Sequence, residues 1–355
     1  MLIANTPFVV FCILLALILP SNQVLAENRT DANPQNSATK GQAHSKTTAS
    51  NTAQKGVANK KSVSIKRSLA PVRLHIEVPC RAWTPKKYPT MVILCVHGLG
   101  LNSASFEQFG KQMSSLGVAT FAVDVRGFGS WMKLEGKEKV DFAACLTDVE
   151  KAIRLLRTAY PKVPIFLLGE SMGGAIALRI TADHPELIDG LISAVPSGDR
   201  FHNTRNELQI AMRMVTGRMN KPMEIGSSII SQATDDPAIQ ERWKGDPLNR
   251  MKLTPKELMQ FQHFMNENHD AAKSINHSPV LILAGFKDKL VKPQGTIELF
   301  NELTTPDKML MIVGNGEHLI FEENQMTTQV SAVLRGWLSS HLRNGSSKPH
   351  VTKVP

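Results

Sequence analysis

The middle of the chain consists of short, continuous apolar runs that alternate with amphipathic stretches. Short apolar runs bounded by turn residues are typical of strands covered on both faces of a sheet. An earlier segment, residues 72–78, instead alternates apolar and polar positions, which predicts a half-exposed edge strand. The continuous runs lie at residues 91–96, 120–123, 165–168, 191–195, 280–284 and 309–313.

Helix-like periodicity fills most of the intervals between these runs. In residues 142–156, apolar side chains recur at steps of three and four, as they do on one face of a helix. Similar segments lie at residues 106–116, 174–184 and 330–342. Strands that alternate with helices predict an α/β fold with a mostly parallel central sheet and helices on both of its faces.

The interval from about residue 199 to residue 277 interrupts this alternation. It is helix-prone and rich in Met, and it lies just before the predicted strand at 280–284. The interval is too long for a connecting loop. We therefore expect a small helical cap over the carboxyl edge of the sheet, inserted before the strand that bears the candidate acid. Flexible Met side chains suit a surface that adapts to apolar ligands, and they suit ordinary packing equally well.

The two ends of the chain differ in composition from this body. Residues 1–26 combine an apolar run, a Pro break and a Val-Leu-Ala end, a pattern that predicts a secretory signal cleaved after Ala26 or a retained N-terminal anchor. Residues 27–68 are polar and basic and predict a disordered linker, and residues 343–355 predict a disordered tail. The folded domain is thus expected at residues 69–342, in an exported protein.

The formal net charge of +10 lies almost entirely in these ends. Residues 27–67 carry +6, residues 343–355 carry +3, and the body is close to neutral. This distribution argues against a nucleic-acid-binding body. The basic linker is a candidate for contact with a membrane surface or the cell envelope, although a solvated spacer has the same composition.

Three cysteines follow the candidate signal segment, at positions 80, 95 and 145. Cys95 lies inside an apolar run, as a core residue would. A disulfide between Cys80 and Cys145 is a possible pairing, and the spacing of the cysteines suggests no metal site.

The clearest chemical motif is Gly169-Glu170-Ser171-Met172-Gly173-Gly174, between a predicted strand and a predicted helix. In that position a G-x-S-x-G sequence forms a tight turn that exposes the Ser171 hydroxyl at a helix N-terminus, where developing negative charge is favoured. Small residues at 169 and 173 are needed to avoid clashes in the turn. Ser171 is therefore the candidate nucleophile.

A second glycine-containing loop, Val96-His97-Gly98-Leu99-Gly100, follows an earlier buried strand. We expect the backbone amides of Leu99 and Met172 to form an oxyanion hole. His97 precedes the serine in the chain, so it is assigned to bracing this loop, with Gly98, rather than to catalysis.

An acid and a base should follow the nucleophile in that order in this architecture. Asp288 lies just beyond the run at 280–284, and His318 lies just beyond the run at 309–313. Both would reach the sheet edge that holds Ser171, with His318 as general base and Asp288 orienting its ring. Asp307 and Glu317 are competing acids.

Together these motifs resemble the α/β-hydrolase serine hydrolases, and most closely the monoacylglycerol lipase/lysophospholipase-like branch. The resemblance rests on residues 97–100, 124–130 (Asp-Val-Arg-Gly-Phe-Gly-Ser) and 169–174, with cap segments at 235–237 and 245–248. It implies hydrolysis of carboxylic esters through an acyl-enzyme, without a cofactor or a metal. Many members have Gly-His-Ser where this chain has Gly-Glu-Ser.

The leading hypothesis is a serine carboxylester hydrolase that acts on a small lipid-like acyl ester, such as a monoacylglycerol or a lysophospholipid. Thioester cleavage, acyl transfer and peptidase activity are alternatives within the same chemistry. A non-catalytic binding protein that keeps the fold is the alternative from another class. Acyl-chain length, head group and oligomeric state are left open by the sequence.

Overall fold

A seven-stranded sheet forms the centre of the protein in a computed structural model, which describes residues 77–200, 212–213 and 216–342. In chain order the strands are β1 (Cys80–Trp83), β2 (Met91–Val96), β3 (Val118–Val123), β4 (Ile165–Glu170), β5 (Gly190–Ala194), β6 (Met223–Glu224), β7 (Lys252–Leu253), β8 (Val280–Gly285) and β9 (Lys308–Val313). The sheet order is β1-β3-β2-β4-β5-β8-β9. Only β1 runs antiparallel to its neighbour, while β6 and β7 form a separate two-stranded ribbon.

The apolar runs of β2, β3, β4, β5 and β8 are continuous because both faces of the sheet are buried there. The run at 309–313 is different: it forms the edge strand β9, in which Met309 and Ile312 are exposed, so the expectation that it is covered on both faces is wrong. In β2, Val92, Leu94 and Val96 face one hydrophobic cluster. Met91, Ile93 and Cys95 of the same strand face a second cluster on the opposite side. Alternate side chains of a strand point to opposite faces, so a strand buried on both sides needs apolar residues at every position.

Helices cover both faces of this sheet. The first face packs against helices that include α2 and α3, and the second packs against α1 and α9. The helices are α1 (Glu107–Ser115), α2 (Phe142–Ala159), α3 (Met172–Asp183), α4 (Gly226–Ala233), α5 (Pro237–Gly245), α6 (Pro255–Asn266), α7 (Asn268–Ser274), α8 (Pro293–Glu302) and α9 (Thr328–Ser340). The predicted α/β architecture is confirmed.

Local sequence explains where several of these helices begin. The Asp141 carboxylate accepts a hydrogen bond from the Ala144 amide at 2.9 Å and so caps α2. Thr254 and Glu257 form a capping box at the start of α6, where Pro255 occupies the first turn. Asp236 caps α5 in the same way, again followed by a proline.

The interval between β5 and β8, where the sequence predicts a cap, contains helices α4 to α7 and the β6–β7 ribbon, while residues 201–211 and 214–215 lie outside the described residues. Helices α4 and α5 share a small apolar cluster with residues of the sheet-edge loops, including Leu101, Leu290 and Leu319. The last helix of the predicted cap interval, α7, packs against α3 and α8 instead. It therefore belongs to the layer that flanks the sheet.

The described residues cover only the end of the predicted edge strand at 72–78: residues 72–76 lie outside them, and residues 77 and 78 form a bend. The edge strand that the structure describes is Cys80–Trp83. Cys80, Cys95 and Cys145 are all free thiols, so the Cys80–Cys145 disulfide is absent. Cys95 is fully buried in the core, as expected.

The candidate signal segment at 1–26, the linker at 27–68 and the tail at 343–355 lie outside the described residues. Within the described ranges, no helix is long and apolar enough to cross a membrane.

Candidate active site

Ser171 occupies a strained turn between β4 and α3. Its φ is 55° and its ψ is −117°, a backbone conformation that L-residues rarely adopt. The Ser171 amide donates to the Ala194 carbonyl of the neighbouring strand at 2.9 Å, which helps to hold the turn. The side chain reaches the surface of a cavity that His318 also lines.

The two glycines of the G-x-S-x-G motif are required by close backbone approach. A Cβ atom at Gly169 would lie 2.0 Å from the Gly173 carbonyl oxygen, and one at Gly173 would lie 1.9 Å from the Val96 carbonyl oxygen. Both distances are far inside van der Waals contact. The turn therefore excludes any side chain at these positions, because a Cβ atom would clash with the neighbouring backbone.

His318 and Asp288 meet on the loops that follow β9 and β8. His318 Nδ1 and Asp288 Oδ2 lie 2.8 Å apart, and both side chains are almost completely buried. The other carboxylate oxygen of Asp288 accepts from the amides of Leu290 at 2.7 Å and Val291 at 2.9 Å. Since the carboxylate can only accept here, Nδ1 carries the proton and Nε2 is the basic nitrogen of the ring.

The two competing acids lie elsewhere. The Glu317 carboxylate accepts from the Asp235 amide at 3.0 Å, at the start of the cap. Asp307 contacts His341 Nε2 at 3.0 Å, near the end of α9. Of the three acids that the sequence singles out, Asp288 is therefore the one that contacts the His318 ring.

His97 uses both ring nitrogens to brace the loop after β2. Its Nε2 accepts from the Val125 amide at 2.9 Å, so Nδ1 must carry the proton, which it donates to the Gly98 carbonyl at 2.8 Å. Burial lowers the pKa of His97, which favours this neutral form. No ring nitrogen is left to act as a base.

The candidate oxyanion amides flank Ser171. Met172 is the first residue of α3, where backbone N–H groups have no partner within the helix. Leu99 lies on the cavity wall beside Ser171. The Gly98 amide, in contrast, donates to the Glu322 carboxylate at 3.1 Å and is not available to a substrate.

Residues 124–130 form contacts that hold the loop carrying Leu99 in place. Asp124 accepts from the amides of Ser103 and Ser130, each at 2.8 Å. Arg126 forms a two-point ion pair with Asp148 of α2. The motif is thus structural, and it fixes the loop that carries Leu99 relative to the sheet.

Two buried glutamates, Glu170 and Glu322, lie behind the site. The Glu170 carboxylate accepts from the consecutive amides of Ile320, Phe321 and Glu322, immediately after His318. Glu322 accepts from the Gly98 amide and from Ser105 Oγ at 2.6 Å. Together they tie the turn of Ser171 to the loops of His318 and Leu99.

These carboxyls are unusually basic. Burial is the main cause that raises the pKa of Glu170, to about 7, and hydrogen bonds and His318 oppose it only in part. Burial and the nearby Glu170 charge raise the pKa of Glu322 well above its ordinary value. In the sequence, Glu170 stands out only as a departure from Gly-His-Ser, and no motif marks Glu322. A carboxylate pair separated by about 150 residues leaves no local pattern.

The cavity at Ser171 and His318 is lined mainly by apolar side chains. Its apolar side chains come from the sheet-edge loops and the cap: Leu101, Ile229, Trp243, Phe261, Leu290 and Leu319. Within the described part of the chain, no group of His, Cys, Asp and Glu side chains is arranged to hold a metal ion.

Most of the described chain matches a known protein family. Residues 87–325 match the family model described as "Serine aminopeptidase, S33". The human protein named "Monoglyceride lipase" is 27% identical over 278 residues, covering 76% of this chain and 89% of that protein.

Two solved structures have the same fold. A soluble variant of monoglyceride lipase from Saccharomyces cerevisiae, in complex with a substrate analogue, has a TM-score of 0.64 and 21% identity, covering 77% of this chain and 98% of the other. The monoacylglycerol lipase of Paleococcus ferrophilus has a TM-score of 0.61 and 24% identity, covering 74% and 99%. The chain therefore belongs to the hydrolase family described as serine aminopeptidase, S33, and it has the α/β-hydrolase fold that its sequence predicts.

Proposed function

We propose that the protein is a serine carboxylester hydrolase with Ser171 as nucleophile, His318 as general base and Asp288 as the acid that orients the histidine. The observation that carries the proposal is the 2.8 Å contact between His318 and Asp288, on the wall of the cavity that Ser171 enters from a strained turn. The match to a serine hydrolase family supports the same chemistry.

The reaction follows from these positions. His318 Nε2 removes the proton of Ser171 as the hydroxyl attacks the ester carbonyl, and Asp288 stabilises the resulting imidazolium. The amides of Leu99 and Met172 donate to the oxyanion. The protonated histidine then protonates the leaving alcohol, and water hydrolyses the acyl-enzyme by the same steps in reverse.

The substrate that we propose is a monoacylglycerol or a lysophospholipid. The apolar cavity wall fits an acyl chain, and the relatives include proteins named monoglyceride lipase from human and mouse. We also propose that the protein is exported, on the basis of the signal-like residues 1–26.

A fluorophosphonate probe tests the nucleophile. We expect labelling of the wild-type protein and none of Ser171→Ala, since the probe reacts with an activated serine. Absence of labelling in well-folded wild-type protein would instead support a non-catalytic binding protein.

The acid is tested by Asp288→Asn, which should lower kcat by about 10⁴-fold because the asparagine favours the wrong ring tautomer. The matched control is Asp307→Asn, since Asp307 contacts a histidine outside the cavity. Near-normal turnover of Asp288→Asn, or an equal loss in both variants, contradicts the assignment.

The substrate class is tested with p-nitrophenyl esters and monoacylglycerols of graded chain length. Aminoacyl p-nitroanilides belong in the same series because the family model is described as a serine aminopeptidase. Faster cleavage of the anilides than of the esters would replace the esterase proposal by a peptidase.

A further inference from the structure

Arg200 is a cationic side chain in the mainly apolar wall of the active-site cavity. It lines the same cavity as Ser171 and His318, immediately after the loop that follows β5. Its guanidinium lies over the ring of Phe261 from the cap, with 5.2 Å between the guanidinium carbon and the ring centroid. The backbone of Arg200 pairs with that of Val291, which fixes the residue beside the Asp288 loop.

The guanidinium of Arg200 forms no ion pair with any carboxylate in the described residues. Its electrostatic neighbour is Asp288, whose two oxygens already accept from His318, Leu290 and Val291. Other half-buried arginines do have carboxylate partners. These pairs are Arg126 with Asp148, Arg157 with Asp189, Arg179 with Glu267, and Arg250 with Glu257.

Burial lowers the pKa of Arg200, and Asp288 raises it only in part. A charge removed from water without a partner costs free energy, and a bound anion can recover that cost. A guanidinium presents a planar fork of donors that matches the paired oxygens of a carboxylate or a phosphate. Among the described residues that line the cavity, the one carboxyl is Glu322, which is engaged elsewhere.

We propose that Arg200 forms an anion-binding subsite that selects acyl esters carrying a carboxylate or phosphate group on the acyl or the alcohol part. The inference rests on the proposed hydrolase function and narrows its substrate class. The acyl chain would contact the apolar residues of the wall while the anionic group pairs with Arg200. Glu322, the acidic side chain on the same wall, is engaged by the Gly98 amide and Ser105.

Two matched ester pairs test the subsite in the full chain. The first is p-nitrophenyl hydrogen glutarate against p-nitrophenyl pentanoate, which differ by an anionic group on the acyl part. The second is 1-butyrylglycerol 3-phosphate against 1-butyrylglycerol, which differ on the alcohol part. The pair that responds to substitution of Arg200 identifies which part of the substrate carries the anion.

We expect Arg200→Gln to lower kcat/KM for the anionic member of one pair by about 10- to 100-fold, and for its neutral partner by less than about threefold. Arg200→Lys should retain part of the preference because it keeps the charge. Arg242→Gln, a substitution on the exposed face of α5, should leave all four values unchanged. Melting temperatures of each variant check the fold.

An equal loss on anionic and neutral esters would overturn the subsite, because it is the result expected if Arg200 only supports Asp288. The absence of any change in Arg200→Gln overturns it as well.

Binding to Ser171→Ala separates the subsite from catalysis. Tighter binding of the hydrogen glutarate ester than of the pentanoate ester, lost in Ser171→Ala/Arg200→Gln, supports the subsite even if wild-type turnover is absent. Equal binding of the anionic and neutral members to Ser171→Ala in both matched pairs contradicts it.

Discussion

At the scale of single residues, Glu170 and Glu322 make the stability of the protein depend on pH. Both are fully buried, and no Lys or Arg contacts either carboxyl among the described residues. The charged neighbours that bear on the pair are His318, beside Glu170, and Glu323, beside Glu322. A pair of buried carboxyls in such surroundings keeps protons that the unfolded chain has already released.

The sign of the effect follows from the raised pKa of Glu170, which moves from 4.5 to about 7. Between these values the native state binds more protons than the unfolded state, so the free energy of unfolding falls as the pH rises. The expected loss across this window is on the order of 3 kcal/mol. Glu322→Gln should reduce it, because removing one carboxyl also removes the repulsion that the other experiences.

Urea unfolding at pH 5 and pH 7.5 measures this effect. Glu298→Gln is the control, since Glu298 is exposed on α8 and should leave the wild-type pH dependence intact. An unchanged difference between the two pH values in Glu322→Gln contradicts the prediction.

A functional residue could be predicted from the sequence only where its neighbours in the chain form a recognisable pattern. The turn of Ser171 is encoded in six consecutive residues, 169–174, and Asp288 and His318 each follow an apolar run. These positions could be selected without a structure. Glu322 and Arg200 could not, because their importance comes from partners that are distant in the chain, such as Gly98 and Phe261.

At the scale of elements, Arg250 joins the cap to the loops of the sheet edge. Its guanidinium pairs with Glu257 of α6 at 2.8 Å and donates to the Gly127 carbonyl at 2.8 Å. Its own amide donates to the Gly100 carbonyl at 2.8 Å. Burial raises the pKa of Glu257, but hydrogen bonds from Thr254 and the charge of Arg250 outweigh it and lower the pKa overall.

Arg250→Met should destabilise the protein by about 3 kcal/mol, because it leaves Glu257 buried without its partner. The double variant Arg250→Met/Glu257→Met should recover part of that loss. Lys111→Met is the control, since it breaks an exposed ion pair with Glu107 and should cost less than about 1 kcal/mol. Urea unfolding measures all three variants, and similar losses in Arg250→Met and Lys111→Met would show that the Arg250 contact contributes little.

Elements with a continuous apolar run could be predicted to within a few residues, whereas the exposed edge strand β1 could not. The runs at 91–96 and 280–284 correspond to β2 and β8 because every side chain in those strands is buried. The edge strand β1 has four residues and two exposed side chains, so its alternation is too short to identify. In the cap interval, periodicity indicates helices but does not tell whether one packs in the layer that flanks the sheet, as α7 does against α3 and α8.

At the scale of the whole molecule, most of the net positive charge lies in the terminal segments of the chain, and the body is nearly neutral. Residues 27–67 hold eight Lys and Arg against two acids, beside a nearly neutral body. We propose that this segment brings the protein to anionic surfaces, since each basic residue near an anionic membrane contributes about 1 kcal/mol.

Sedimentation with phosphatidylglycerol vesicles tests this proposal. The full chain should bind the vesicles, and binding should weaken as the salt concentration rises from about 0.05 to 0.5 M, because salt screens exposed charges. A variant with the eight basic residues of 27–67 replaced by Gln should not bind, while its turnover of soluble esters stays unchanged. Salt-independent binding, or equal binding of the variant, contradicts the proposal.

The order of strands is also a property of the whole molecule, and it was not predicted from the pattern. Apolar runs identify strands and their burial, but they do not state which strands are neighbours. The antiparallel pairing of β1 with β3 has no counterpart in the local sequence.

The attachments of the cap have a consequence for how the enzyme would discriminate between substrates. Asn102, two residues beyond Gly100, donates to Asp246 at 3.1 Å and to Asn249 at 2.8 Å, so the segment that supplies the Leu99 amide is bonded directly to the cap. A bulky head group that forces the cap outward would therefore also displace the Leu99 amide, which we propose as a donor to the transition state. Oversized esters should then be bound yet turned over slowly, so that size selection is expressed in kcat more than in KM.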